Sequence, residues 1–138
     1  MPYKLLWEPC GVYRQYLGDV TILERRESFE AICGDPRFDD LRFTITDYLA
    51  VEAYEITSEA TAEIVAPHIG AVRTNPRIAI AAVAVRPDIV AAIQEFIAYG
   101  FTAAPYRIFS SLSEARLWVG APESGKSAFG STRLDCVP

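Results

Sequence analysis

The stretch IAIAAVAV, residues 78–85, is apolar at every position. A strand with water on one face alternates apolar and polar side chains, whereas a strand covered on both faces is apolar throughout. We therefore expect residues 78–85 to form a central strand of an α/β sheet, with helices packed on both of its faces.

Four other short stretches predict strands around this one. Residues 41–46 (LRFTIT) alternate between apolar and polar side chains, which indicates a strand with one buried and one wetter face. Residues 3–7 and 12–17 flank a Glu-Pro-Cys-Gly turn and predict a β-hairpin, and residues 106–109 predict a short last strand. The expected sheet is mixed, with four or five strands, residues 78–85 at its centre and the hairpin at one side.

Four helices separate these strands, and each begins with an N-terminal signal. The signals are the capping boxes of Thr21 with Glu24 and of Ser111 with Glu114, a cap at Thr57 or Ser58 for residues 59–73, and the early proline Pro87. We expect Pro67 to kink or split the second helix, because proline cannot donate to the carbonyl of Glu63. The order β-β-α-β-α-β-α-β-α implies parallel strands with right-handed helical crossovers beside one antiparallel hairpin.

Size and charge narrow the class of protein. The 138 residues carry a net charge of -5 and are 51% hydrophobic, which is typical of one globular domain. We assign residues 1–120 to a single α/β domain and the polar, glycine-containing residues 121–138 to a flexible tail. An acidic chain lacks the Lys/Arg surplus that binds nucleic acid or anionic lipid, so neither partner is expected. No signal peptide is visible, and we expect a cytoplasmic protein.

The cysteines and the single histidine do not predict a metal or cofactor site. Cys10, Cys33 and Cys136 are widely spaced without a CxxC pair, and only His68 adds an imidazole. We expect free thiols, no bound metal and no cofactor. His68 lies close to Pro67 with no nucleophile pattern nearby, which favours a structural histidine over a general base.

Three stretches resemble the SpoIIAA-like branch of the anti-sigma-factor-antagonist (STAS) fold. They are GVYRQYLGDVT (11–21), RIAIAAV (77–83) after a helix that ends in Asn75-Pro76, and YRIFSSLSEARLWV (106–119). The likeness covers about residues 3–120 and is one of layout. It implies a non-enzymatic module that works by contact with a partner protein.

Phosphorylatable members of that fold switch through a Ser or Thr at the start of the helix after the third strand, within an Asp-Ser context that a glycine follows. The matching stretch here is DYLAVEAYEITSEA, residues 47–60, in which Thr57 and Ser58 stand at the helix start. No Asp precedes them and no Gly follows, so we expect helix caps in place of phosphosites.

Residues 47–58 are predicted to be a long loop after the third strand. Loops at the carboxyl ends of strands hold ligands and partners in open α/β sheets. The candidate binding or regulatory residues in this loop are Asp47, Tyr48, Tyr54, Thr57 and Ser58. The alternative is that the apolar members of the loop simply pack on the sheet.

One literal motif match is expected to be coincidental. Gly120, Gly125, Lys126 and Ser127 satisfy the GxxxxGKS pattern of a phosphate-binding P-loop. A P-loop needs a buried strand before it and a helix after it, whereas here a predicted helix precedes it and only eleven residues follow. We therefore expect no nucleotide binding.

Three functions stay open at this point. The leading hypothesis is a regulatory or protein-interaction module of the STAS type, and the alternative is a small-molecule or lipid-binding domain. An enzyme ranks third, behind these two, because no acid/base or nucleophile set can be assembled from the sequence. We also predict a two-fold homodimer, with Trp7, Tyr13 and Tyr16 as aromatic residues of the kind that interfaces favour.

Overall fold

The computed structural model describes residues 2–100 and 105–120. In chain order the elements are β1 (Tyr3–Glu8), β2 (Gly11–Thr21), α1 (Ile22–Cys33), a short 3₁₀ helix (Pro36–Asp40), β3 (Phe43–Glu55), α2 (Ser58–Thr74), β4 (Ala79–Val83), α3 (Pro87–Ala98), β5 (Tyr106–Phe109) and α4 (Leu112–Val119). This order confirms the predicted alternation of strands and helices.

The five strands form one mixed sheet in the order β1-β2-β3-β4-β5. β1 and β2 pair antiparallel, and the other three pairs are parallel. The hairpin therefore lies at one edge of the sheet, and β4 is an interior strand, as expected from its apolar sequence.

Helices cover the two faces of the sheet unequally. Ile32 of α1, Ala71 of α2 and Ile89 of α3 pack on the face that carries Val12 and Tyr16. Among the described helices, α4 is the one that packs on the opposite face, across β3, β4 and β5. Its Arg116 also reaches Glu8 of β1 and lies over the ring of Tyr13 of β2.

Alanines in β4 let helices approach from both sides. Ala81 packs against Ala115 of α4, while Ala82, on the other face, packs against Ile89 and Ile93 of α3. Small side chains on a central strand bring the helices close to the sheet, and all five of these contact residues are 2% exposed or less. The doubly apolar pattern thus has the predicted cause over Ala79–Val83, whereas Val85 lies beyond the strand and is 58% exposed.

The turn after β1 depends on a close approach at Gly11. Gly11 lies opposite Phe43 of β3, and the Phe43 ring covers the place where a Cβ atom at position 11 would stand. Aromatic rings commonly shield strand glycines from water in this way. The ring therefore requires glycine at the first residue of β2.

The expected loop at residues 47–58 is wrong. β3 runs through to Glu55, and its parallel pairing with β2 continues as far as Thr21 opposite Glu55. Two register shifts interrupt this pairing, between Gln15 and Leu17 and between Gly18 and Asp19. The long pair satisfies backbone groups that a loop would leave to water, so only residues 56 and 57 connect β3 to α2.

The expected split at Pro67 is also wrong, because α2 is one continuous helix over Ser58–Thr74. Pro67 and Glu63 both lie on the exposed side of the helix. Water can therefore hydrate the Glu63 carbonyl that loses its partner, which lowers the cost of an internal proline.

Other expectations fall partly outside the described residues. Gly120 ends α4 in a left-handed conformation with φ of 78°, whereas Gly125, Lys126, Ser127 and the rest of residues 121–138 lie beyond the described part. Cys10, expected to be a free thiol, is disulfide-bonded, while Cys33 is free. Within residues 2–100 and 105–120, no helix has the length and apolar character needed to cross a membrane, and no cluster of metal-ligating side chains occurs.

Candidate functional site

The five candidate residues do not form one surface. Asp47 and Tyr48 are buried in β3 at 4% and 3% exposure, and Tyr54 is half-buried near the end of the same strand. Thr57 and Ser58 stand at the start of α2. Because neighbouring residues of a strand face opposite sides, Asp47 and Tyr48 belong to different faces of the sheet.

Asp47 has a structural role on the α4 face. Tyr13 Oη donates to Asp47 Oδ2 at 2.5 Å, and the backbone N–H of Leu49 donates to Oδ1 at 2.9 Å. Burial, together with the hydrogen bond to this carboxylate, raises the pKa of Tyr13. Both carboxylate oxygens of Asp47 are therefore engaged within the fold.

Thr57 is the cap of α2, as the sequence predicted. Its Oγ1 accepts from the N–H of Ala60 at 3.1 Å, and its backbone is extended. Ser58 Oγ donates to Glu95 of α3 at 3.3 Å on the exposed surface. The cap role of Thr57 accounts for its contacts without phosphorylation.

Tyr48 and Tyr54 meet a buried arginine on the opposite face. Arg25 of α1 is 7% exposed, and its Nη1 donates to the hydroxyls of both tyrosines at 3.1 Å. The two rings pack edge to face, with centroids 5.9 Å apart. Burial raises the pKa of Tyr48, so its hydroxyl is a neutral acceptor of a guanidinium proton.

A second buried arginine lies on the same face. Arg14 of β2 is 9% exposed, and its Nη2 and Nε both reach Thr46 Oγ1, at 2.9 and 3.3 Å. Its Nη1 donates to Ser28 Oγ at 3.0 Å. Ser28 Oγ also bonds to Tyr16 Oη at 2.8 Å and to the Arg25 carbonyl at 3.2 Å, so one hydroxyl joins the surroundings of both arginines.

His68 of α2 completes this polar region as a neutral group. Its ring stacks on Phe29 with centroids 3.9 Å apart and meets the edge of Phe96 at 4.8 Å. Nδ1 donates to the Ile64 carbonyl at 2.8 Å, since a carbonyl oxygen only accepts. Burial, and then the charge of Arg25, lowers the pKa of His68 to about 3. The imidazole is therefore uncharged at neutral pH and is poorly suited to act as a general base.

These groups surround a cavity of about 60 Å³ between the sheet and the helices α1 and α2. Its polar wall includes Arg14, Arg25, Thr46, His68 and Tyr106, and its apolar wall includes Phe29, Ile32, Ile78 and Ile80. Cys33 also borders it, and burial raises the pKa of that thiol to about 11. The thiol is thus protonated and unreactive at neutral pH.

Sequence reasoning missed both arginines. On α1 the structure buries Arg25, Ser28 and Ile32 and leaves the neighbouring Arg26 exposed in an ion pair with Glu63. For Arg14 a signal was present, because it alternates with Val12 and Tyr16 and must share their buried face. A cation on the apolar face of a strand is the pattern that would have identified this site.

Comparison with known proteins gives a fold and no sequence family. No protein-family profile matches the chain, and no curated protein matches it significantly. The solved structure of the anti-sigma factor antagonist SpoIIAA in its unphosphorylated form superimposes with a TM-score of 0.53 at 10% identity, covering 87% of this chain and 99% of that one.

A second solved structure gives the same result. It is an uncharacterized protein of the DUF3478 family from Shewanella loihica PV-4, described as having a SpoIIAA-like fold, with a TM-score of 0.54 and 11% identity. The match covers 85% of this chain and 91% of that protein. Both similarities extend over nearly the whole described sheet and its helices, and together they show that this chain has the SpoIIAA-like, STAS-type α/β fold.

Proposed function

We propose that this chain is a non-enzymatic regulatory module that acts by contact with a protein partner. One similar structure is that of an anti-sigma factor antagonist, which is named for its action on another regulatory protein. Shared fold alone does not carry function. The observation that carries the proposal is an exposed apolar surface at the carboxyl end of β4, where β3 runs on past its last pair with that strand.

This strand-end surface consists of Leu49, Val85 and the carboxylates of Glu52 and Glu55. Leu49 and Val85 each lie two residues beyond the paired residues Asp47 and Val83, and they are 47% and 58% exposed. Arg86 Nη1 donates to the carbonyl of Glu52 at 2.7 Å, which ties the segment after β4 to β3. Large apolar side chains held in place at a strand end favour a protein contact.

The charges of the strand-end surface indicate the chemistry of its partner. Glu52, Glu55 and the nearby Glu59 are exposed, and all three are acidic. An apolar centre with an acidic rim is complementary to a partner that presents apolar side chains within a basic rim. The proposed partner is therefore a protein with a basic contact surface.

The non-enzymatic part of the proposal rests on the state of the titratable groups. His68 is the single histidine of the sequence, and its pKa of about 3 leaves it neutral. Asp47 is held by Tyr13 and by the Leu49 N–H, and the Cys33 thiol is protonated. None of these groups is poised to transfer protons or attack a substrate at neutral pH.

The test is affinity capture followed by reconstitution with the purified partner. A Leu49→Asp, Val85→Asp double variant should bind the partner about tenfold more weakly or worse, because charges replace the apolar centre. Leu117→Asp is the matched control, since Leu117 is 83% exposed on α4 and lies outside the strand-end surface. Equal partner affinity for both variants and the wild type would contradict the proposal.

A second function, small-molecule binding, is favoured by the cavity between the two buried arginines.

A cytoplasmic location stays a prediction, and the disulfide at Cys10 is unusual for that compartment. The two-fold dimer likewise stays a prediction.

A further inference from the structure

Two guanidinium groups, those of Arg14 and Arg25, lie on one cavity and have no carboxylate partner among the described residues. The four ion pairs of residues 2–100 and 105–120 involve Arg26, Arg37, Arg86 and Arg116, and neither Arg14 nor Arg25 takes part in them. Neutral hydroxyls are the hydrogen-bond acceptors of both. A buried cation that lacks an opposite charge is costly to the fold, and two on one cavity add mutual repulsion.

Arg25 retains hydrogen-bond donors that no acceptor uses. Its Nη1 serves Tyr48 and Tyr54, whereas Nε and Nη2 have no acceptor in the described part of the chain. Among the described residues, every side-chain nitrogen or oxygen that is fully shielded from solvent has a hydrogen-bond partner. Nε and Nη2 must therefore border open space, and Arg25 lines the cavity. Donors of a planar guanidinium match the oxygens of a carboxylate or a phosphate.

The cavity has room for more than water. One water needs roughly 10–15 Å³ of such space, and this cavity has about 60 Å³. The remaining wall is largely apolar and includes Phe29, Ile32 and Ile80. The cavity therefore offers a cationic end for a charged head and an apolar wall for a short hydrocarbon body.

We propose that this cavity binds a small organic anion, with its oxyanion head on Arg14 and Arg25 and its apolar body against Phe29, Ile32 and Ile80. Thr46 and Tyr106 also line the cationic end and supply hydroxyls. This inference goes beyond the proposed partner contact, because it concerns the interior of the opposite face and does not require the strand-end surface.

A route for the ligand runs between α1 and α2. A second cavity, of about 130 Å³, lies there and shares Arg25, Phe29 and His68 with the first. The stacked rings of Phe29 and His68 stand at this boundary, and Phe29 is only half-buried. Arg26, Glu30 and Glu63 line the outer cavity, and Arg26 is ion-paired with Glu63 there, so the combined cationic charge of Arg14 and Arg25 is met only on the inner cavity. The favoured ligand accordingly has one anionic head.

The experiment uses the full chain with hexanoate, monobutyl phosphate, inorganic phosphate and neutral hexanol as probes. The single histidine lies on the cavity, so its ring resonances in an NMR titration report occupancy without ambiguity. We expect hexanoate or monobutyl phosphate to bind with a Kd below about 1 mM. Inorganic phosphate lacks the apolar body and hexanol lacks the charge, so each should bind at least about tenfold more weakly. The two organic anions distinguish a carboxylate head from a phosphate head.

Two arginines, one on the cavity and one away from it, supply the matched variants. Arg25→Met should weaken binding of the better probe by about tenfold or more, whereas Arg73→Met should leave it unchanged, because Arg73 is exposed on α2 and lines neither cavity. If Arg25→Met does not fold, Arg25→Lys replaces it; lysine keeps the charge but loses the planar fork, so weaker binding is still expected.

Three results would overturn the proposal. They are the absence of any shift of the His68 resonances with all three anions at about 10 mM, equal binding by wild type and the Arg25 variant, and equal binding of hexanol and hexanoate. Loss of anion binding in the Leu49→Asp, Val85→Asp variant is not expected, so the two proposals fail independently.

Discussion

His68 connects the acid stability of the protein to a single side chain. In the unfolded chain its pKa is near 6.5, and in the folded protein burial and Arg25 lower it to about 3. Between about pH 3 and pH 6.5, His68 is protonated in the unfolded chain but neutral in the folded protein. Acidification therefore favours unfolding over this range, and the stability contribution of neutral His68 is complete only above pH 6.5.

We predict that the free energy of unfolding falls by about 2 kcal/mol between pH 7 and pH 5 because of His68. Urea denaturation at several pH values measures it, and pH 5 is the lower limit because unfolded carboxylates begin to protonate below it. His68→Phe is the control, since it keeps the ring stack on Phe29 and cannot titrate. A pH dependence that is the same in wild type and His68→Phe would show that other groups cause the effect.

At the scale of single elements, the start of α2 makes the clearest prediction. Thr57→Ala should lower the free energy of unfolding by about 1 kcal/mol, because the N–H of Ala60 loses its acceptor. Ser58→Ala should change it by less than about 0.5 kcal/mol, because Ser58 makes only an exposed contact with Glu95. Thermal or urea unfolding of the two single variants compares them directly.

The double alanine variant separates a cap from a phosphorylation switch. We expect it to lose about 1–2 kcal/mol of stability. Unchanged stability together with lost partner binding, or a phosphopeptide that contains Thr57 or Ser58, would establish the switch and contradict the cap interpretation.

Most elements of the fold were predictable because their signals are local. Thr21 with Glu24, Pro87, and Ser111 with Glu114 mark helix starts within one turn, and the structure places helices at each. The apolar run of residues 78–85 identified the interior strand in the same way. Patterns of this kind depend on neighbouring residues alone, so no knowledge of distant contacts is needed.

The extension of β3 and the buried arginines were not predicted because they depend on distant residues. Tyr48 and Tyr54 bond to Arg25 across 23 and 29 residues of sequence. The extension also depends on pairing with β2, which continues to Thr21 and so runs beyond its predicted end at residue 17. One local signal existed, since residues 47–58 contain neither Gly nor Pro to end a strand.

On the scale of the whole molecule, the uneven helix cover bears on the predicted dimer. Tyr16 is fully buried, and the guanidinium of Arg37 lies over the ring of Trp7, 4.3 Å from its centre. Neither Tyr16 nor Trp7 is therefore an open interface residue. Leu6 of β1 pairs with Tyr13, which places it on the α4 face, and it is 57% exposed. A two-fold contact between copies would bury this apolar residue.

We predict sedimentation of a species with twice the 15.3 kDa mass of the chain, and dissociation of that species by Leu6→Asp, because a charge there opposes burial. Leu23→Asp is the control, since Leu23 is 56% exposed but lies on α1, on the other face of the sheet. A monomer at high protein concentration in the wild type, or equal dissociation by both variants, would contradict the dimer.

β3 serves both proposed sites. Tyr48 and Tyr54 hold Arg25 beside the cavity, while Leu49 and Glu52, between them on the same strand, belong to the strand-end surface. An anion held by Nε and Nη2 of Arg25 would share this guanidinium with the two tyrosines, which bond to Nη1. Thermodynamic linkage then requires reciprocity: whatever factor the anion imposes on partner affinity, the partner imposes on anion affinity. β3 would then couple the two sites, so that the anion bound inside the domain and the protein partner bound outside it each change the affinity for the other.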